Sequence, residues 1–288
     1  MSKWDNMYLD LCEKILKEGK LHHNRTGIDT LRILGHTFEF DLQDEFPVLS
    51  VKRVGIKGPV IELLWIYQMH SIKVQDLRDR GVTIWDEWEV DADGYYRKDG
   101  KERFIGEEYA GTIGTAYGFV TGKFGWPENT IKEIKNNPDS RRNIIDLWQP
   151  AYFDTAVLPP CVYSCQFVVD GDTLNIRVTQ RSCDVGLGLP YNVTQYAALC
   201  CMIAHVTGLK PGKMLYQITD THIYCNHIDA IKTMINRRPH AKPAPKLWLN
   251  PEIHDFFDFD NSKECKDVKL IEYEHLGKVS MEVATWLK

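Results

Sequence analysis

Two β-type runs, Val162 to Val169 and Thr173 to Arg181, flank the turn sequence Asp170-Gly171-Asp172. β-Branched and aromatic residues on both sides of an Asp-Gly step are a short-range signal for an antiparallel hairpin. A helical apolar pattern follows from Asn192 to Val206, closed by Gly208, and then a strand from Met214 to Thr219. Strand, strand, helix, strand in so short a stretch commits this part of the chain to helix packed on sheet.

The rest of the chain repeats the mixture. Apolar residues at 4, 7, 8, 11, 12, 15 and 16 predict a helix over Trp4 to Lys17 that stops at Gly19. Thr30 to Asp41 reads as a strand broken by Gly35. Pro59 is expected to open a helix running to about His70. Residues 89 to 116 are charged and Gly-rich and read as a surface insertion. Asn129 to Asn137 is a short helix before Pro138, and Asn143 to Trp148 a strand. His227 to Arg237 is a helix, and Lys246 to Leu249, Lys269 to Glu274 and Val279 to Val283 are late strands. The expectation is one α/β or α+β domain over 1–288.

A chain of 288 residues can bury a full core. Its net charge of -5 argues against nucleic acid or an anionic membrane as the main partner. No run approaches the roughly 18 apolar residues of a membrane helix, and the N-terminus lacks an apolar signal core. Eight cysteines at 12, 161, 165, 183, 200, 201, 225 and 265 include no C-x-x-C pair. Free thiols in a cytoplasmic protein are expected. A zinc site built on Cys161 and Cys165 lacks paired ligand spacing, so no metal is expected.

The residues that carry chemistry begin with Cys161, set behind the stiff pair Pro159-Pro160. A thiol is nucleophilic as thiolate, and a cation stabilises that form; Arg181, across the hairpin, is the candidate. A lone cysteine at a strand start is more often simply buried. Arg25, Arg141, Arg142 and Arg181 each lie among hydroxyl or turn residues, which suits phosphate clamping as well as solvated surface charge. Asn192 has an amide that suits the O4/N3 edge of uracil, and equally suits a helix N-cap. Glu62, in the apolar helix Val60 to Trp65, is expected to have a raised pKa and to move protons, or else to be a salt-bridged helical Glu. Trp85 and Trp88 offer flat faces for a cofactor or for the core. The run Gly111, Gly114, Gly118 lacks the ending of a phosphate-binding loop and reads as turns.

Taken together, eight ordered segments resemble the thymidylate synthase family over nearly the whole chain. They are Asn24-Arg25-Thr26-Gly27, Glu62-Leu63-Leu64-Trp65, Ile84-Trp85-Asp86-Glu87-Trp88, Ser140-Arg141-Arg142, Pro160-Cys161, Gln180-Arg181-Ser182-Cys183-Asp184, Leu187-Gly188-Leu189-Pro190-Tyr191-Asn192 and Asp220-Thr221-His222-Ile223-Tyr224. The resemblance implies a large mixed sheet flanked by helices and a homodimer packed sheet to sheet. It implies dUMP as substrate and 5,10-methylenetetrahydrofolate as carbon donor and reductant. Carried over by motif, Cys161 adds to C6 of the pyrimidine, Tyr117 lies near C5 proton removal, and Glu62 moves protons. Arg25, Gln180, Arg181 and Ser182 hold substrate, with Arg141 and Arg142 reaching in from the other subunit. Asn192 reads uracil, and His222 and Tyr224 the deoxyribose. Ile84, Trp85, Trp88, Asp184, Leu187, Gly188, Tyr191 and Ala284 serve the folate site, with Asp184 also in the catalytic set.

The chain departs from the family pattern at four places. Val162 stands where many members have His, Tyr191 where Phe is usual, and Gly186 where a bulkier residue is common. The tail continues past Glu282-Val283-Ala284 into Thr285 to Lys288, so closure of the site must differ in detail. Two products follow from the shared chemistry. Hydride gives dTMP; water gives 5-hydroxymethyl-dUMP, as in the hydroxymethylases of DNA-modifying phages. Asn192 points to uracil, because the cytosine enzymes carry Asp there. Trp85, a large indole able to shield the reacting carbon from water, favours the synthase, whereas the altered tail and the hydroxyl of Tyr191 favour water. Reductive methylation is the leading expectation. A non-catalytic nucleotide- or RNA-binding role is a distant alternative, opposed by Cys161 together with Glu62.

Overall fold

The computed structural model describes residues 1–24, 26–98 and 101–283. Helices are α1 Lys3–Glu18, α2 Lys57–Tyr67, α3 Val74–Arg78, α4 Tyr117–Phe124, α5 Glu128–Asn136, α6 Gly188–Thr207 and α7 Ile228–Asn236. Strands are β1 Lys20–His22, β2 Thr30–Asp41, β3 Tyr95–Lys98, β4 Lys101–Phe104, β5 Ile144–Asp146, β6 Val162–Asp170, β7 Thr173–Asp184, β8 Lys210–Tyr224, β9 Lys246–Leu249 and β10 Val268–Ile271. The main sheet runs β1-β2-β8-β7-β6-β5. It is mixed: β7 and β8 are parallel, and the other neighbours are antiparallel. Parallel neighbours need a crossover, and α6 supplies it. The expected fold class, a large mixed sheet flanked by helices, is therefore observed.

Helix α6 buries residues on all sides, Leu189, Val193, Ala197, Leu199, Cys200 and Ile203 among them, and packs on β7 and β8. Each fully buried aliphatic side chain contributes roughly 1.5–3 kcal/mol, so α6 is a rigid backing for the sheet. Cys200 and Cys201 are core residues here, as their place in an apolar run suggests.

Several boundaries differ from the sequence pattern for identifiable reasons. Helix α6 starts at Gly188, four residues before Asn192, because the Asp184 carboxylate accepts from the backbone N–H of Gly186 (2.9 Å) and Leu187 (3.1 Å) and turns the chain. Asn192 is therefore inside the helix and is not its N-cap. Helix α2 begins two residues before Pro59, which sits in the first turn where its missing N–H costs nothing. Strand β8 is far longer than its apolar centre because it pairs along both edges, with β2 and β7. The run Val279 to Val283 is not a strand; it has no partner strand and lies as an irregular strap. Within 89–116, β3 and β4 form a hairpin with an exposed outer strand, while Val90, Ile105 and Ile113 at its base are buried. No helix among the described residues is long and apolar enough to cross a membrane.

Candidate active site

The parallel pair places the chemistry. Side chains two apart along a strand share a face, and β7 and β8 pair Ser182 with Asp220 and Asp184 with His222. Cys161 immediately precedes β6, whose first residue pairs with Gln180. The result is a cavity of about 330 Å³ whose walls include Cys161, Arg181, Ser182, Asp184, His222 and Tyr224. Trp88 and Val283 close other sides. A cavity of about 510 Å³ elsewhere, beside Trp248, is larger but gathers none of these groups; chemistry marks the site, not size.

The thiol loop is held almost entirely by one arginine. Arg181 Nε donates to the Pro160 carbonyl and Nη2 to the Pro159 carbonyl, both at 2.8 Å. Its backbone N–H donates to Cys161 O at 2.9 Å. Nη2 also lies 3.8 Å from Cys161 Sγ. Opposite charges at that separation attract by on the order of 1–4 kcal/mol between water-like and protein-like screening. A cation at that distance favours the thiolate form over the thiol. The other seven cysteines are in the opposite situation: burial pushes each thiol up, Cys12, Cys201 and Cys265 to about 12, and Cys165, Cys183, Cys200 and Cys225 in the same direction.

Behind the thiol, Tyr117 Oη accepts from the Cys161 N–H at 2.9 Å. Burial first, then the neighbouring Cys161, pushes the Tyr117 hydroxyl pKa up, so it stays protonated. Gly118 permits this placement. A Cβ there would lie 2.0 Å from the Ser71 carbonyl oxygen, so only glycine lets α4 come this close. The Tyr117 ring meets Trp85 edge-on at 5.5 Å. Trp85 Nε1 donates to Glu62 Oε1 at 2.7 Å, and Gln195 Nε2 donates to Glu62 Oε2 at 2.8 Å. Burial raises the Glu62 carboxyl pKa, with both hydrogen bonds partly opposing it. Glu62 is only partly accessible and makes no salt bridge among the described residues. It is a carboxylate with two directed donors and an elevated affinity for a proton.

The uracil-reading candidate is also oriented. Gln180 Nε2 donates to Asn192 Oδ1 at 3.3 Å and to the Ser182 carbonyl at 3.0 Å, while Gln180 Oε1 accepts from Tyr216 Oη at 2.6 Å. This chain fixes which end of the Asn192 amide faces Gln180. His222 Nδ1 lies 2.7 Å from Asp220 Oδ1, and Arg32 Nη1 donates to Asp220 Oδ2 at 3.1 Å. Burial works against ionisation of Asp220, but His222 and Arg32 together hold its carboxyl below the usual range. Tyr224 stands edge-on to His222 at 5.1 Å.

Other expected residues are placed as follows. Arg141 and Arg142 are exposed, just before edge strand β5, and are not among the residues lining this chain's own cavity. Ile84 is exposed, Trp85 is buried, and Trp88 stacks on Tyr96 at 5.9 Å. Leu187, Gly188 and Tyr191 are partly accessible on the turn into α6 and its first turn. Arg25, Ala284 and Thr285 to Lys288 lie outside the described residues. The segment around Arg25 does reach the site: Asn24 and Thr26 line the cavity, tied by an Asn24 Oδ1 acceptor for the Thr26 N–H at 2.8 Å.

Sequence reasoning passed over three residues, and it named Asp220 only within its segment, without the role of orienting His222. Gln195 fixes Glu62. Lys52 is buried, donates to the Gly186 carbonyl at 2.9 Å and stands over the Tyr191 ring at 5.4 Å. Burial pulls its amine down to about 8, with Asp184 and Cys12 opposing. His227 is buried beside Asp184. Only Lys52 had a usable signal, a lysine directly after the apolar run Phe46 to Val51.

A family model described as thymidylate synthase matches residues 6–285. The chain is 40% identical over 284 residues to a thymidylate synthase of Clostridium beijerinckii, covering 99% of this chain and all of that protein. It is 38% identical over 303 residues to thymidylate synthase 1 of Bacillus subtilis, with 99% and 100% coverage. The solved structure of the thermostable thymidylate synthase A from Bacillus subtilis superposes with a TM-score of 0.83 at 37% identity, covering 97% of this chain and 99% of that one.

Proposed function

The chain belongs to the thymidylate synthase family, a family of methyltransferases that make dTMP, and from that membership we propose how its residues convert dUMP to dTMP. The observation that supports the scheme most is the setting of Cys161, the one cysteine in the cavity, with Arg181 Nη2 3.8 Å from its sulfur. The thiolate adds to C6 of dUMP, which makes C5 nucleophilic toward the incoming carbon. Elimination of Cys161 at the end restores the ring double bond and frees the thiol.

Arg181 and Ser182 hold the phosphate, and Arg25, with Arg141 and Arg142 of a second subunit, serves the same phosphate. Gln180 orients Asn192, whose amide donates to O4 and accepts from N3–H of uracil. His222, kept in place by Asp220, and Tyr224 hold the deoxyribose. Tyr117 stays protonated next to the thiol loop and serves proton removal at C5. Glu62, with its raised pKa, holds and releases a proton near the ring.

The folate site is formed by Ile84, Trp85, Trp88, Asp184, Leu187, Gly188, Tyr191 and Ala284. Flat faces at Trp88 and Tyr191 and an acceptor at Asp184 fit a planar, hydrogen-bonding heterocycle. When bound, 5,10-methylenetetrahydrofolate supplies the carbon and the hydride. Trp85, buried against Tyr117, keeps water from the reacting carbon, and this favours methyl over hydroxymethyl.

We read residues 1–288 as one catalytic domain of a cytoplasmic homodimer. Leu34, Ile144 and Val168 leave apolar side chains exposed on strands of the main sheet, and Trp148, two residues past β5, is exposed as well. A second sheet would cover them and bring Arg141 and Arg142 to its partner's cavity. The direct test is to incubate the enzyme with dUMP and 5,10-methylenetetrahydrofolate and follow nucleotide mass and dihydrofolate absorbance together. The expected result is dTMP with stoichiometric dihydrofolate. A product one oxygen heavier, with no dihydrofolate, overturns the synthase reading.

A further inference from the structure

The last described segment, 277–283, has neither helix nor strand, yet it ends on the active site, where Val283 lines the cavity that holds Cys161. Its beginning is tied by the backbone: the Arg53 N–H donates to Gly277 O at 2.9 Å, and the Leu276 N–H donates to Ser50 O at 2.8 Å. Arg237 Nη1 reaches the same Gly277 carbonyl at 3.4 Å. Its far end is held by a side chain. His227 Nε2 donates to the Glu282 carbonyl at 2.6 Å.

His227 is 1% exposed. A carbonyl only accepts, so Nε2 must carry a hydrogen. The opposite ring nitrogen, Nδ1, faces Asp184 Oδ1 at 3.7 Å and makes no hydrogen bond among the described residues. A neutral ring would aim a lone pair at that carboxylate. The doubly protonated ring suits both neighbours. Burial opposes this charge, but Asp184 and the Glu282 carbonyl outweigh it and raise the His227 pKa; Lys52 opposes weakly. The ring therefore bridges the strap and the same Asp184 carboxylate that turns the chain into α6.

The third part is an absence of side chain. A Cβ on Gly186 would lie 3.0 Å from Met281 Sδ, 3.3 Å from His227 Nδ1 and 3.4 Å from Asp184 Oδ1. The Gly186 backbone is not in the left-handed region, so glycine is needed here for space and not for conformation. Strap, histidine and carboxylate all converge on the volume a side chain would fill.

We propose that Gly186, His227 and Met281 form a latch that positions the C-terminal strap over the active site, with His227 as the positioning residue. The proposal deepens the methyl-transfer reading and rests on it for its effect on folate. A latched strap walls the folate side of the cavity. Releasing it weakens folate binding and admits water to the reacting carbon, and leaves the phosphate clamp intact. The geometry also explains how this chain closes its site with a glycine at position 186. Met281 occupies the space and supplies the packing.

The test has a readout that needs no turnover. Amide hydrogen exchange over residues 277–283 is measured in the substrate-free enzyme for wild type, His227→Ala, His227→Gln, Gly186→Val and Met281→Ala. Exchange there should rise several-fold in His227→Ala and Gly186→Val and less in Met281→Ala, a change in an accessible segment that leaves the core alone. It should return toward wild type in His227→Gln, whose amide donates to the same carbonyl. In steady state, His227→Ala should raise KM for folate about tenfold, the loss of one hydrogen bond from a charged donor. It should change dUMP affinity less than twofold and raise the share of hydroxymethyl product. Unchanged exchange in both His227→Ala and Gly186→Val, equal losses of dUMP and folate binding, or no rescue by Gln overturns the latch. A wild-type enzyme that makes no dTMP counts against the methyl-transfer reading alone, since the exchange result stands without it.

Discussion

The thiol loop and the C-terminal strap face the same cavity and are built in opposite ways. At Pro159, Pro160 and Cys161, the three carbonyls all accept from Arg181, and the Cys161 N–H donates to Tyr117. The strap's far end depends on His227 and on packing against Gly186. A nucleophile has to be aimed, and small misplacements are costly in rate. A wall that must open for a bulky cosubstrate has to be releasable at small cost. The difference teaches where each kind of variant should register. Changes on the loop side alter the chemical step or substrate choice, and changes on the strap alter folate affinity and water entry.

Glu62→Gln gives the sharpest contrast on the loop side. It should lower kcat by roughly 10²–10⁴-fold, the range for a lost general acid or base, with dUMP affinity nearly unchanged by calorimetry. Because burial raises the Glu62 pKa, the ionised form is lost as pH falls through a value above the usual carboxylate range. The acid limb of the wild-type kcat profile should sit there. A limb in the ordinary carboxylate range, or a Gln variant of normal kcat, breaks the assignment.

Arg141→Ala with Arg142→Ala comes next. Each lost phosphate contact should raise KM for dUMP by roughly 10–150-fold. Mixing this variant with a Cys161→Ala chain should restore activity, because one of the two heterodimer sites then has both an intact thiol and intact partner arginines. Failure to complement under subunit exchange removes these arginines from the partner's site.

Asn192→Asp should shift the dUMP to dCMP preference toward cytosine by roughly 5–150-fold, the worth of one buried polar mismatch of about 1–3 kcal/mol. An unchanged ratio in competition would mean Gln180 and Asn192 do not read the base.

The smallest effect is on the strap. His227 has its pKa raised in the folded protein, so its contribution is complete below its ordinary value near 6.5 and fades as pH rises through the raised one. The groups facing it are Asp184, Lys52, the Tyr224 ring and the Glu282 carbonyl. Cleavage at the exposed Lys278, taken as the ratio of wild type to His227→Gln, should rise a few-fold across that range. A flat ratio would leave the latch without its charge.

The same contrast governs how much could be read from the sequence. The loop side was legible because its parts are short local patterns: the Pro159-Pro160-Cys161 approach, the Asp170-Gly171-Asp172 hairpin that brings Arg181 opposite it, and Glu62 alone in an apolar helix. Strand β9 matched its pattern residue for residue, and β2 has the expected ends but runs unbroken through Gly35. Elsewhere tertiary partners decided. The start of α6 was set by Asp184 reaching back to two amides, which moved Asn192 from a cap to a position inside the helix. The run 279–283 has strand-like composition and no strand to pair with. Lys52, Gln195 and His227 act through residues 55 to 134 positions away, and no local pattern announces such partners.

In the proposed reaction the Cys161 thiolate, stabilised by Arg181, does the bond-making at C6. Turnover of dUMP by Cys161→Ala, with dUMP binding measured by calorimetry on the same preparation, tests it most directly. No detectable dTMP is expected, with dUMP affinity within a few-fold of wild type, because the phosphate and base contacts lie on other side chains. Measurable dTMP formation by Cys161→Ala would contradict it.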